Sequence, residues 1–141
     1  MHYHPWRALR GRAHLDVSWR RMPAHTHASI DGAGRITVAD DLTQVERRVT
    51  ITHELVHDER GVPHGHDPAE EIAVEREVAR RLIPIEALIR VARLDLSMHD
   101  AAEELWVTPD VLACRLSSIT HPAERAAWAA AVEEMREHHA C

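Results

Sequence analysis

The stretch that most constrains this chain runs from Thr43 to Gly61. Thr43 and Glu46 have the spacing of a capping box, which satisfies two orphan N–H groups at a helix start. Val45, Val49, Thr52 and Val56 then recur at helical spacing and predict a buried stripe. Gly61 and Pro63 stop the pattern. A helix is therefore expected over residues 43–58, and its last turns carry His53-Glu54-Leu55-Val56-His57. On a helix, positions i and i+4 share a face, so both imidazoles can reach one metal ion. Glu54, one step along, is placed to take a proton from water activated there.

The pentapeptide alone is weak evidence. With 13 His among 141 residues, shuffled chains of this composition contain H-E-x-x-H about once in nine. The helix signals around it carry the argument. Zinc suits such a site, because it accepts nitrogen and oxygen ligands and can leave one position open for water.

Two His need a third protein ligand. Pro68-Ala69-Glu70-Glu71 predicts the start of a second helix, with proline in its first turn and an acidic pair at the positive end of its dipole. This helix is expected to run to Leu82 or Ile83, with Ile72, Ala79 and Leu82-Ile83 facing the core. Its carboxylates Glu70, Glu71, Glu75 and Glu77 are the candidates. If Glu71 ligates, Glu75 lies one turn further on the same side and can accept a hydrogen bond from the outer nitrogen of a ligating His. The reverse assignment, with Glu75 as ligand, stays open. The loop between the helices holds His64 and His66, read as exposed residues or extra ligands. A peptide-cleaving site also needs a donor for the developing oxyanion. His64, His66 and Tyr3 are the candidates.

Composition bounds the rest. The chain is 45% hydrophobic but only 4% aromatic, with no Phe, so the core is built from Ala, Val, Leu and Ile. Lys, Asn and Phe are all absent. Their codons are AT-rich, so this absence reads as a GC-rich genome and not as function. Cys114 and Cys141 do not form a disulfide framework or a Cys zinc site, which fits a reducing cytoplasm. No apolar run approaches membrane-spanning length, and the N-terminus lacks the apolar region of a signal peptide. The expected location is cytoplasmic. A net charge of −6 argues against direct nucleic-acid binding. The Arg-rich stretch 1–22 is expected to be a solvated face.

Pro5 predicts a short first helix closed by Gly11. Residues 14–19 alternate in polarity and read as a strand. Residues 28–30 and 35–39 flank Asp31-Gly32-Ala33-Gly34 and read as a hairpin. Helices are expected from Ile85 to Leu94, from Ser97 through Trp106, from Thr108 through Ile119, and from Pro122 to about Arg136. The fold class is α+β. A small antiparallel sheet or hairpin is expected to pack on the H-E-x-x-H helix and the ligand-bearing helix. Residues 1–95 would form a zinc-peptidase core, and residues 96–141 a helical subdomain resembling a helix-turn-helix.

Residues 46–57, Glu46 to His57, together with Glu70-Glu71-Ile72-Ala73-Val74-Glu75-Arg76-Glu77-Val78-Ala79-Arg80-Arg81-Leu82-Ile83-Pro84, resemble the ImmA/IrrE family of gluzincin-like metallo-endopeptidases. The Ala-Arg-Arg-Leu-Ile-Pro ending and Glu104-Leu105-Trp106-Val107 are similar to a branch common in actinobacteria and their phages. The likeness covers roughly residues 25–120. Counting back from Pro84 puts Glu71 at the family's ligand Glu. It puts Val74 and Glu75 where the family usually has Ala and Asn. The resemblance implies a Zn(2+)-dependent endopeptidase with His53, His57 and Glu71 as ligands and Glu54 as base. It further implies a transcriptional repressor as protein substrate, in prophage, mobile-element or stress regulation. The rival readings are a catalytically silent partner of a repressor or antitoxin, and a DNA-binding regulator built on residues 97–119. The second is opposed by Asp100, Glu103, Glu104 and Asp110 against Arg115 alone.

Overall fold

A computed structural model describes residues 2–31, 33–61 and 67–140. The elements in order are α1 (Pro5–Arg10), β1 (Asp16–Arg20), β2 (Ala28–Ile30), β3 (Arg35–Ala39), α2 (Gln44–Arg60), α3 (Pro68–Leu82), α4 (Ile85–Ala92), α5 (Met98–Glu104), α6 (Pro109–Ser117) and α7 (Pro122–His139). The class is α+β. The chain divides into two compact units, Met1–Val78 and Ala79–Cys141, with the division inside α3.

The first unit is built on the sheet, whose strand order is β1-β3-β2. The expected hairpin forms: β2 and β3 pair antiparallel, with Ala28 opposite Val38 and Ile30 opposite Ile36. The sheet is nevertheless mixed, not purely antiparallel. β1 pairs with β3 in parallel, from Asp16 opposite Arg35 to Arg20 opposite Ala39. The reason lies in the connection: residues 21–27 join the end of β1, opposite Ala39, to the start of β2, opposite Val38, so β1 runs against β2 and therefore with β3. β3 is then the inner strand, and its Ile36 and Val38 are fully buried.

The hairpin turn is held by Asp31. Its carboxylate accepts from the N–H groups of Ala33 (2.9 Å) and Arg35 (3.0 Å). Gly34 has φ +81°, a conformation that favours glycine, and its C=O accepts from Asp16 N–H at 3.0 Å.

α2 starts as expected. Glu46 N–H donates to the Thr43 hydroxyl at 3.2 Å, and Thr43 N–H donates to the Glu46 carboxylate at 3.3 Å. It ends at Gly61, which is left-handed at φ +70° and donates to His57 C=O at 2.9 Å. The helix lies against α1, β2 and β3. Its deepest side chains include Ile51 and Leu55, which join Ile36, Val38, Ala39 and Leu42 in one apolar cluster. Of the expected stripe, Thr52 and Val56 are buried while Val45 and Val49 are half-buried.

On α3, Ile72 does not face the core, contrary to expectation; it is 49% exposed. Val74 and Val78 are buried instead. Glu71, Val74 and Val78 share one face at i, i+3 and i+7, and Ile72 is rotated off it. In the second unit α4 packs with α5 and α7, and α5 with α6. Helix α5 stops at Glu104, before Trp106, which has φ +55° and is exposed. α6 stops at Ser117, so Ile119 lies beyond it. No helix among the described residues is long and apolar enough to cross a membrane.

Candidate metal centre

α2 delivers His53 and His57 from successive turns, and α3 delivers Glu71 from its first turn. The two Nε2 atoms stand 3.1 Å apart. The Glu71 carboxylate lies 3.0 Å from His57 Nε2 and 3.5 Å from His53 Nε2. The three side chains thus present their donor atoms to one point, within 4.8 Å of one another. Four ligands at zinc-like bond lengths in a tetrahedron stand about 3.3 Å apart. The observed separations bracket that figure, so the residues fit a small tetrahedral cation. His57 is buried, while His53 and Glu71 are half-buried.

Both helix ends that carry the ligands are pinned. Arg60, the last residue of α2, donates through Nε and Nη2 to Glu70 in the first turn of α3. This guanidinium holds the Glu70 carboxyl below the usual carboxylate range. On the other side, the Asp58 carboxylate accepts from Arg12 at 2.6 Å and lies 2.9 Å from His14 Nε2. Arg12 also meets Glu59 at 2.9 Å. These contacts tie the last turn of α2 to the segment between α1 and β1.

Glu54 is 2% exposed. It lines, with His53, a cleft of about 370 Å³ whose other walls are Val49 and Thr50 of α2 and residues His25, Thr26, His27 and Ala28. Those four residues lead into and begin β2, an edge strand. Ala39 N–H donates to His27 C=O at 2.8 Å, and Asp31 N–H donates to Arg35 C=O at 3.0 Å. Residues 27, 29 and 31 therefore face β3. By alternation, the N–H and C=O groups of Ala28 and Ile30 point to the open edge.

The sequence candidates are placed as follows. His53, His57 and Glu71 come together, with Glu54 beside them on the cleft. Glu75 is exposed and lies outside the group. Glu77 is half-buried. Tyr3 is half-buried and is not among the residues lining the cleft. His64 and His66 lie outside the described residues. Sequence reasoning missed His25 and His27. Their signal was weak, two His in a Pro-containing connection just ahead of a strand.

Comparison with protein-family models, with curated proteins and with solved structures returned no match.

Proposed function

We propose that this chain is a zinc-dependent endopeptidase of the ImmA/IrrE type. One observation carries the reading: two Nε2 atoms and a carboxylate converge within 3.0–3.5 Å, next to a buried Glu on an open cleft. His53, His57 and Glu71 would hold the ion. Zinc, when bound, supplies Lewis acidity that brings the pKa of water toward neutrality. Glu54 takes the proton of the attacking water and returns it to the leaving amine. Its burial strengthens its interaction with charge developing in the cleft. The open edge of β2 supports an extended substrate, added as a further strand through Ala28 and Ile30. A helix-turn-helix repressor as physiological substrate is the reading that the family resemblance suggests.

The pair α5 and α6 is read as a helix-turn-helix-like packing or docking element and not as a DNA reader. Arg115, the sole Arg among residues 97–119, is 1% exposed and already paired, so it is withdrawn from any phosphate.

The decisive experiment is elemental analysis of untagged protein. Wild type is expected to hold about one zinc per chain. Glu71→Ala loses it and Glu75→Ala keeps it. Glu54→Gln keeps the metal and slows cleavage of a repressor substrate by about 10²- to 10⁴-fold. N-methylation of substrate backbone amides that would pair with β2 weakens cleavage. A wild type that takes up no added zinc overturns the proposal.

A further inference from the structure

Two of the residues that line the cleft beside the metal centre, His25 and His27, are left unused by the mechanism above. They reach it from the connection that enters β2. There Thr26 N–H donates to Pro23 C=O at 3.1 Å and closes a turn over Pro23–Thr26. His25 is the third residue of that turn and has φ +66°. Ala24 before it is not in the positive-φ region. A positive φ at the third position alone is the mark of a type II turn, where glycine or asparagine is favoured because a Cβ is crowded. The chain instead keeps an imidazole there, exposed, on the wall of the cleft. Backbone strain held in this way clusters at ligand-contacting positions.

The two histidines are not equivalent. His27 is bound into the sheet through its C=O, and its Nε2 stands 4.0 Å from the Glu46 carboxylate. The His25 ring has no hydrogen bond or ion pair among the described residues, so its N–H is available to a ligand in the cleft.

We propose that His25 donates an N–H to the carbonyl oxygen of the peptide bond under attack and to the oxyanion that forms from it. The assignment rests on the peptidase reading. Water oxygen bonds to the carbonyl carbon, and the π-electron pair moves onto the carbonyl oxygen. The water proton passes to Glu54. The oxyanion's electron pair then re-forms the C=O bond as the C–N bond breaks, and the nitrogen takes the proton from Glu54 as it leaves. His25 gives up no proton. It supplies a donor aimed at charge that is larger in the tetrahedral state than in the planar amide, which is the condition for accelerating the step.

The test uses the zinc-loaded full chain with an alanine-based phosphinic pseudotetrapeptide, whose tetrahedral anion stands in for the oxyanion. Acetohydroxamate reports separately on the metal. In His25→Gly, zinc content and acetohydroxamate affinity are expected to stay within about twofold of wild type, while phosphinate affinity falls about tenfold or more. Thermal stability should hold or rise, because glycine relaxes φ +66°. His25→Asn tolerates the same backbone and keeps an N–H donor, so it should recover part of the loss. Unchanged phosphinate binding in His25→Gly overturns the assignment and leaves the peptidase reading intact. A His25→Gly chain that loses zinc or melts lower also overturns it, by making the role structural. A wild type that takes up no zinc overturns both.

Discussion

Arg115 puts a guanidinium in the interior of the helical unit, where its charge has to be met. Nε donates to Ile83 C=O at 2.9 Å, and Nη2 donates to Glu124 at 2.9 Å. The Ile83 carbonyl belongs to the end of a helix, where no backbone partner is available. Arg115 thus satisfies an orphan acceptor as well as an acid. Arg115→Met is expected to lower stability by about 2–3 kcal/mol, read from the urea midpoint. The figure is below that for a fully buried pair, because Glu124 keeps some solvent contact. Asp31 gives a pH-dependent counterpart. Its carboxyl is held below the ordinary range by hydrogen bonds from the Arg35 and Ala33 N–H groups. A carboxyl depressed by folding contributes stability above its unfolded pKa, near 4, and loses it as pH falls through the folded value. The stability gap between wild type and Asp31→Asn should therefore be full at about pH 6 and close below about pH 4. A gap independent of pH would refute the cause. At this scale the grouping of His53, His57 and Glu71 was legible in part. His53 and His57 had to share a helical face, but helical spacing left Glu71 and Glu75 open, and only the family resemblance favoured Glu71. Arg115 was not legible, because nothing local distinguishes an arginine that caps a distant carbonyl from one that meets water.

At the scale of elements, helix punctuation was the most readable signal. Thr43 with Glu46, Pro68, Thr108-Pro109 and Pro122 each mark a start where one is observed, since these residues act on their own backbone neighbours. The pairing of β1 was not readable. A polarity alternation specifies which face of a strand is buried, and it is silent on whether a neighbour runs parallel or antiparallel. Helix faces were intermediate. Ile72 looked inward by hydrophobicity alone, but the face was set by Glu71, Val74 and Val78. The parallel pair carries a prediction of its own. A Cβ added at Gly34 would stand 2.5 Å from His14 C=O, on backbone at φ +81°. Gly34→Ala must push the start of β1 away from β3. It is expected to destabilise the first unit by about 1–3 kcal/mol, measured by chemical unfolding. A neutral effect would mean that β1 can re-register without loss.

For the whole molecule, a metal held at this centre would be linked to the fold by mass action. An ion that binds only the folded chain, present at 100 times its dissociation constant, adds about 2.7 kcal/mol. For a chain of this length that corresponds to a rise of roughly 5–10 °C in the melting temperature. Scanning calorimetry with zinc and then with excess chelator should show this shift in wild type and little of it in Glu71→Ala. Equal shifts in both would place the ion elsewhere. The size of the effect also follows from where the ligands fall along the chain. All three lie between residues 53 and 71, so a bound ion would close a ring of only about eighteen residues, worth about 3 kcal/mol in a chain-entropy account. Ile36, Val38, Ala39 and Leu42, which form most of the apolar cluster of the first unit, lie outside that ring. An ion held by these three residues would therefore cross-link a local segment and would not act as a staple for the fold. In a metal-loaded chain, chelation is expected to empty the centre while the sheet and its core persist, so that the scaffold would stand with or without the ion.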